Sequence, residues 1–398
     1  MRAVVRGIVA VPMAPLLVLA ALVARRQTAR RLRRGDRARL IWGPEPIVSI
    51  KFWSAALREL GYESRTCVFG HYAIHERADF DVYYDEFLPH SIVFDPLRAY
   101  AVFFWALPLT DVYLSFFDGG FLRGTALRSL ELPLLRLAGK RIVVSPYGGD
   151  IGVPGHLGVA EEPLLKDYPI IAVRGESVRR RVLHFSRWAS LIVRNVQYGF
   201  LPRWDVLWPT QFAIDTDVWS PGPPPALDRD GHTSEVVVVH APNHRHIKGT
   251  NELIAVVDEL RSEGLKVRLD LLERRPNAEV REAVRSGDLV AEQFIAGYAQ
   301  FGIEGMATAR PVLSALSWMA PDLRERFEEL GLPVIDTDLT SLKSNLRALV
   351  EDPVRRGTVG EAGRRFVLAN HSLAAVGAVW DAIIEHVWRG APLPDRLG

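Results

Sequence analysis

EVVVVHAPNHRHIKGT, residues 235–250, decides how the rest of the chain is read. A run of β-branched valines reads as a short strand. It ends at His240, a polar loop follows, and a helix begins near Thr250. Such a loop exposes N–H groups and the positive end of the helix dipole, which together favour an anion. Arg245 and Lys248 add two cations there, and charge-assisted contacts to phosphate are worth about 1.5–3 kcal/mol each. The competing reading makes both of them solvated loop residues and Thr250 an N-cap.

Toward the C-terminus, DLVAEQFIAGYAQFGIEGMATARPVL (residues 288–313) repeats the pattern. A strand over 289–295 leads to a glycine-containing loop over 297–302. A short helix over 303–307 follows, and Pro311 then leads another strand. Gly297 and Gly302 let backbone approach a ligand closely. Glu304, in the first turn beside a phosphate site, is placed to hydrogen-bond a ribose diol; alternatively it only complements the helix dipole. Further strands are expected at 267–272, 312–316 and 334–335, with an amphipathic helix at 373–388.

Toward the N-terminus, the proline-dense stretch 221–225 reads as a stiff linker. Before it comes a first alternating series, with strands at 38–42, 64–69, 112–116, 141–145, 170–173 and 191–193 and helices at 48–60 and 177–185. This alternation marks an α/β chain with parallel sheets. The expected organisation is a membrane anchor and basic arm (1–34), a Rossmann-like first domain (35–215), a linker (216–234), a Rossmann-like second domain (235–372) and a C-terminal helix (373–398) packing back toward the first domain. Ligands of doubly wound sheets bind at the carboxyl ends of the strands, and with two domains the expected site is the cleft they face.

The first segment stands apart. GIVAVPMAPLLVLAALVA, residues 7–24, carries no charge and spans roughly 27 Å as a helix, near the thickness of a bilayer core. Arg25, Arg26, Arg30, Arg31, Arg33, Arg34, Arg37 and Arg39 follow. Such a run stays on the cytoplasmic side and attracts anionic lipid. The expectation is an anchor at the cytoplasmic face of the plasma membrane, with residues 7–39 against an anionic surface. Pro12 and Pro15 leave open whether the segment crosses the bilayer or lies in it. A cleaved signal fits less well, because Leu22 stands where a small residue is wanted; a buried segment with no membrane role is the third reading.

Composition narrows the function. The 398 residues are 48% apolar and 24% charged, enough for sizeable cores, and the net charge of +2 gives no reason to expect nucleic acid. One cysteine, Cys67, excludes an internal disulfide or a cysteine metal site. No GxGxxG lies at a strand-to-helix turn, and Gly139-Lys140 is followed by Arg141 rather than Ser or Thr, so nicotinamide and ATPase phosphate motifs are missing. His71 and His75 are four apart but outside any HExxH pattern, so no metal is expected.

HRHIKGT and FGIEGMATARPV together resemble the donor-binding domain of the GT-B glycosyltransferases of the large retaining family 4 (glycosyl transferases group 1), membrane-associated bacterial type. The resemblance covers about 80 residues specifically and is compatible with the chain from Arg39 onward. It implies that Arg245 and Lys248 hold the donor diphosphate during catalysis and that Glu304 binds the ribose. Asn243, Gly297, Phe301, Gly302 and Ile303 would complete the donor pocket. Two positions depart from the family: Ala296 stands where the first glutamate of its acidic motif belongs, and the family arginine falls on Asn243. SPYGGDI, residues 145–151, resembles the His-Gly-Ser-Asp segment of these enzymes, with Tyr147 in the histidine position. Gly148, Gly149 and Asp150 would then face the donor sugar or acceptor, Asp150 as a catalytic group. Asp118 and Gly119 of FFDGGF and Glu45 of GPEP are further acceptor-side candidates, although tight turns use the same residue types.

The resulting expectation is transfer of a sugar from a nucleoside-diphosphate sugar to a membrane-proximal glycolipid or polysaccharide acceptor, with retention and without metal or cofactor. The alternatives are a catalytically silent, membrane-tethered nucleotide-sugar-binding module of a polysaccharide assembly complex, and an epimerase acting on a UDP-sugar.

Overall fold

The computed structural model describes residues 2–72, 76–89, 91, 94–195, 198–224, 226–295, 297–316, 319–394 and 397. In chain order its main elements begin with α1 (Arg2–Arg34), β1 (Arg39–Trp42), α2 (Ser49–Glu59), β2 (Glu63–Val68), β3 (Val82–Tyr83), α3 (Asp95–Leu109) and β4 (Val112–Ser115). Next come α4 (Glu131–Leu137), β5 (Arg141–Val144), α5 (Glu161–Asp167), α6 (Ile170–Trp188), β6 (Leu191–Arg194) and β7 (Val206–Leu207). The later part holds β8 (Val236–His240), α7 (Arg245–Lys248), α8 (Thr250–Ser262), β9 (Val267–Leu271), α9 (Asn277–Ser286), β10 (Leu289–Gln293) and α10 (Gln300–Ala307). It closes with β11 (Val312–Ser314), α11 (Pro321–Leu330), β12 (Ile335–Asp336), α12 (Leu342–Glu351), α13 (Pro353–Asn370) and α14 (Leu373–Arg389).

Two compact units result. The first comprises Met1–Val153, Gly175–Trp208 and Val376–Gly398. Its seven-stranded sheet has the order β3-β2-β1-β4-β5-β6-β7, with every pair parallel. Strand order reverses between β1 and β4, where Leu40 lies opposite Val112. Leu40, Ile41, Trp42 and Ile142, Val143, Val144 are all buried, as strands of a parallel sheet with two covered faces must be. α14 closes this core: the Trp380 ring lies 5.0 Å from Trp42 and 5.2 Å from Trp53 and Trp208.

α1 runs unbroken through Pro12 and Pro15 and packs along α3 and α4. Leu17 and Ala21 are fully buried in the same core as Phe103 and Leu135. Burying Leu17 alone contributes roughly 2 kcal/mol. The Asp111 carboxylate, fully buried just ahead of β4, accepts from Arg31 of α1 at 3.0 Å and from Arg39 at 3.0 Å, with Lys140 at 3.8 Å. Burial pushes Lys140 down to about 8, while hydrogen bonds and cations hold Asp111 below its usual range against the opposing effect of its burial. Arg31 and Arg39, expected to face lipid, are therefore part of the fold.

The second unit comprises Pro154–Arg174 and Pro209–Ala375. Its sheet has the order β12-β11-β10-β8-β9, again parallel, and reverses between β8 and β10, where Val238 pairs with Leu289. Two sequence expectations change here. Residues 170–173 are the first turn of α6 rather than a strand: Ile170 and Val173 are exposed, and the helix's buried stripe of Val178, Val182 and Phe185 begins beyond them. Residues 154–174 fall in the second unit although the sequence places them in the first domain, because Asp167 and Tyr168 make their contacts on α7, as described next.

Candidate functional site

In doubly wound sheets the loops at the switch point form the binding crevice. In the second unit these are the loops after β8 and β10. His240, at the end of β8, is fully buried; its Nδ1 lies 2.7 Å from the Ala291 carbonyl and its Nε2 2.8 Å from the Thr250 hydroxyl. A carbonyl only accepts, so Nδ1 carries the proton and Nε2 accepts from Thr250. Burial pushes His240 down to about 4, which keeps it neutral. One imidazole thus ties β8, β10 and the start of α8 together. Between them α7 makes a single turn, and Gly249 (φ 70°) reverses the chain into α8. A side chain at Gly249 would meet Leu339 at 3.2 Å and Phe294 at 3.3 Å.

α7 is gripped from outside by α5. The Asp167 carboxylate accepts from the Ile247 N–H at 2.8 Å and lies 2.7 Å from His246 Nδ1; the Tyr168 ring lies 4.2 Å from that of His244. The turn leaves Lys248 only 8% exposed. Its ammonium sits 4.0 Å from Glu292 Oε1 of β10. Burial lowers the Lys248 pKa, and the Glu292 and Glu304 carboxyls oppose that shift.

Glu292, which with Gln293 resembles the acidic-Gln pair that precedes this loop in the family, was not among the expected donor-site residues. Its Oε2 accepts from the Ala299 N–H at 3.3 Å, and the Gly302 N–H donates to the Ala299 carbonyl at 3.1 Å. Its buried Oε1 has no hydrogen-bond partner among the described residues. A Cβ at Gly302 would come within 2.2 Å of Oε2, so glycine is needed to seat this carboxylate at the start of α10. A buried glutamate following the apolar run Leu289-Val290-Ala291 was the available signal. Burial raises Glu292 to about 7 and Glu304 to about 8; Lys248 works against both shifts, and Glu292 adds to that of Glu304. Lys248 and Glu292 are thus paired inside the second unit, and Glu304, hydrogen-bonded by Gln300, is buried close enough to feel both charges.

The other donor-side candidates separate from this group. Arg245 makes a two-pronged pair with Glu273, both contacts 2.7 Å, and reaches Asn251 at 3.2 Å. Asn243 is exposed. α10 starts at Gln300, so Phe301 and Gly302 belong to its first turn rather than to the expected loop. Phe301 (8% exposed) and Ile303 (0%) are core side chains, which leaves them only backbone to offer a ligand. Gly297 holds a left-handed φ of 80°. Beside it the Tyr298 hydroxyl donates to His371 Nε2 at 2.7 Å, and His371 Nδ1 donates to the Phe212 carbonyl. Ala296 and His75 lie outside the described residues.

At the first unit's switch point, the loops after β1, β4 and β5 bring together Glu45, Asp118 and Tyr147. Glu45 is buried and accepts from the Tyr72 hydroxyl and the Arg123 guanidinium. Asp118 accepts from the Tyr147 hydroxyl and, at 2.7 Å, from Arg181 of α6. Arg123 and Arg181 were not legible as site residues, since neither lies in a motif. Gly119 (φ 117°) and Gly148 (φ 119°) shape the turns, and Gly149 is exposed.

Asp150, expected as a catalytic group, is bound by backbone. It is fully buried, and its oxygens accept from the Phe117, Tyr147 and Gly148 N–H groups, each at 3.0 Å. Burial and the Asp118 charge push it up to about 7. Glu131 does the same for the loop after β4, accepting from the Phe121 and Leu122 N–H groups at 2.7 Å each. Both carboxylates hold loops in shape.

No family model matches the chain. No curated protein matches it either. Among solved structures, a glycosyltransferase from Rickettsia africae ESF-5 is 11% identical with a TM-score of 0.53, covering 89% of this chain and 99% of its own. An alpha-glucosyltransferase in complex with UDP and a 13-mer DNA is 12% identical with a TM-score of 0.53, covering 87% and 99%. With its two parallel sheets flanked by helices and its apolar N-terminal helix, the chain has the α/β fold of the GT-B glycosyltransferases.

Proposed function

We propose that the protein transfers a sugar from a nucleoside-diphosphate sugar to an acceptor at a membrane. The observation that carries this reading is the Lys248, Glu292 and Glu304 group, buried at the switch point of the second sheet. In the reaction the bond from the sugar's C1 to the diphosphate oxygen breaks with its electron pair on the diphosphate. An acceptor hydroxyl oxygen bonds to C1, and its proton leaves to the diphosphate or to water. The catalytic need is positive charge on the leaving group, and a desolvated ammonium supplies more there than one in water. Lys248 takes that role in place of a divalent metal. Glu304, protonated near neutral pH, both donates and accepts, which suits a ribose diol. Arg245 joins the diphosphate only by leaving Glu273. Retention at C1 follows the family resemblance. Glu45, Asp118 and Tyr147 are the acceptor-side groups of the proposal, and α1 with its arginines supports a lipid-linked or envelope acceptor at the cytoplasmic face of the plasma membrane.

A thermal-shift panel of nucleoside diphosphates and their sugars tests the donor site. At least one should raise the midpoint, and Lys248→Ala and Glu304→Ala should each abolish that rise; shifts untouched by both substitutions overturn the assignment. Ala296, in place of a family carboxylate, favours a second reading, a silent binding module. Release of free sugar from a bound donor separates the two, since a silent module releases none.

A further inference from the structure

We propose that α1 does not cross the bilayer but lies in its surface, one face on the protein and the other in anionic lipid. The inference rests on the membrane association proposed above and fixes its geometry.

By length and composition alone the segment Gly7–Arg34 suits a crossing. Its surroundings in the first unit do not. Ala10, Met13, Leu17, Ala21, Ala24 and Thr28 recur every three or four residues, forming one stripe along the helix. Leu17, Ala21, Ala24 and Thr28 are at most 3% exposed, and Met13 packs on the same core. The stripe covers the whole apolar segment, about 27 Å at 1.5 Å per residue. A crossing helix would have to peel away from α3 and α4 or draw them into the hydrocarbon. Arg31 resists peeling, because it is bound to the buried Asp111.

The opposite face is open and apolar: Ile8 is 66% exposed, Val11 76%, Leu19 60% and Val23 50%. Arg25, Arg26, Arg30, Arg33 and Arg34 continue the exposed side, and among the described residues no carboxylate pairs with them. Arg31, Arg37 and Arg39 of the same run are taken by Asp36, Asp111 and Asp381. The arginines thus divide into those that hold the fold and those left to solvent. A helix with one apolar face beside uncommitted cations is the arrangement of in-plane membrane helices, and its charge selects an anionic bilayer.

The test uses the full chain, phosphatidylcholine vesicles with and without 30% phosphatidylglycerol as a chosen probe, and substitutions on each face. Sedimentation should require the anionic lipid. Leu19→Asp and Val23→Asp should lower vesicle binding at least about tenfold with an unchanged melting temperature, whereas Leu17→Asp should lower the melting temperature. Fluorophores on Ile8→Cys and on Leu22→Cys should be quenched to the same shallow depth by brominated lipids. Depths differing by half a bilayer or more mean a crossing helix and overturn the inference while keeping the membrane reading. No vesicle binding by the unsubstituted chain, or a dimer that ignores vesicles, overturns both and leaves the nucleotide shifts of the donor site untouched.

Discussion

The loops at the carboxyl ends of the two sheets balance charge in different ways. In the first unit each acidic side chain has a dedicated partner: Glu45 has Tyr72 and Arg123, Asp118 has Tyr147 and Arg181, and Asp150 has three backbone N–H groups. In the second unit Glu304 is held by Gln300, and Glu292 accepts from the Ala299 N–H beside Lys248 but keeps its buried Oε1 without a hydrogen bond among the described residues. Satisfied polar networks stiffen a structure, while partly satisfied ones carry free energy that a ligand can recover. By this measure the acidic groups of the first set are satisfied, while the second keeps one buried carboxylate oxygen without a partner among the described residues.

Breaking the contrast at its centre should have the largest effect. Lys248→Ala should lower the rate of sugar release from a bound donor by roughly 10²–10³-fold, the loss expected when one donor to a developing charge is removed; single-turnover assays at saturating donor measure it. On the first side the effect should appear in folding instead. Asp118→Ala leaves Arg181 and the Tyr147 hydroxyl without their acceptor, at about 2 kcal/mol in urea unfolding. Equal losses of rate and stability from both substitutions would erase the distinction.

A finer test uses pH. A carboxyl whose folded pKa is raised contributes stability that is full below its unfolded pKa, near 4.5, and is lost as pH rises through the folded value, about 7 for Glu292. Glu292→Gln removes that dependence, so the variant should gain on the parent steadily between pH 5 and 8 in melting temperature. The smallest effect belongs to Arg245. Its pair with Glu273 is exposed, and such pairs are screened by water and salt. Arg245→Ala should leave the melting temperature within error. A weaker nucleoside diphosphate shift in that variant would show that the guanidinium leaves Glu273 for the ligand.

Much of the fold was legible in the sequence because periodicity reports burial. EVVVVH and RIVV read directly as buried strands, and the 3.6-residue stripe of α14 was visible in its aliphatic and tryptophan spacing. Residues 170–173 misled because four apolar residues fit a strand as well as a helical turn, and only the spacing further along decides. Candidate site residues were legible where they lie inside a local motif, as Lys248 and Glu304 do. Arg181 and Asp167 were not, because each acts on a partner distant in sequence. Asp150 was visible, but the three N–H groups that hold it were not, because one of them belongs to Phe117, distant in sequence.

The docking of α1 also bears on how the protein can be prepared. Cutting an apolar leader away is the usual route to a soluble sample. Here a cut at Gly35 would uncover the α3 and α4 side chains that now cover Leu17 and Ala21, and would take Arg31 from the buried Asp111. The shortened chain would exchange one greasy surface for another and lose a clamp at the start of its central strand, β4. Keeping the helix and replacing Leu19 and Val23 with polar residues treats the side that faces outward and spares the side that holds the fold.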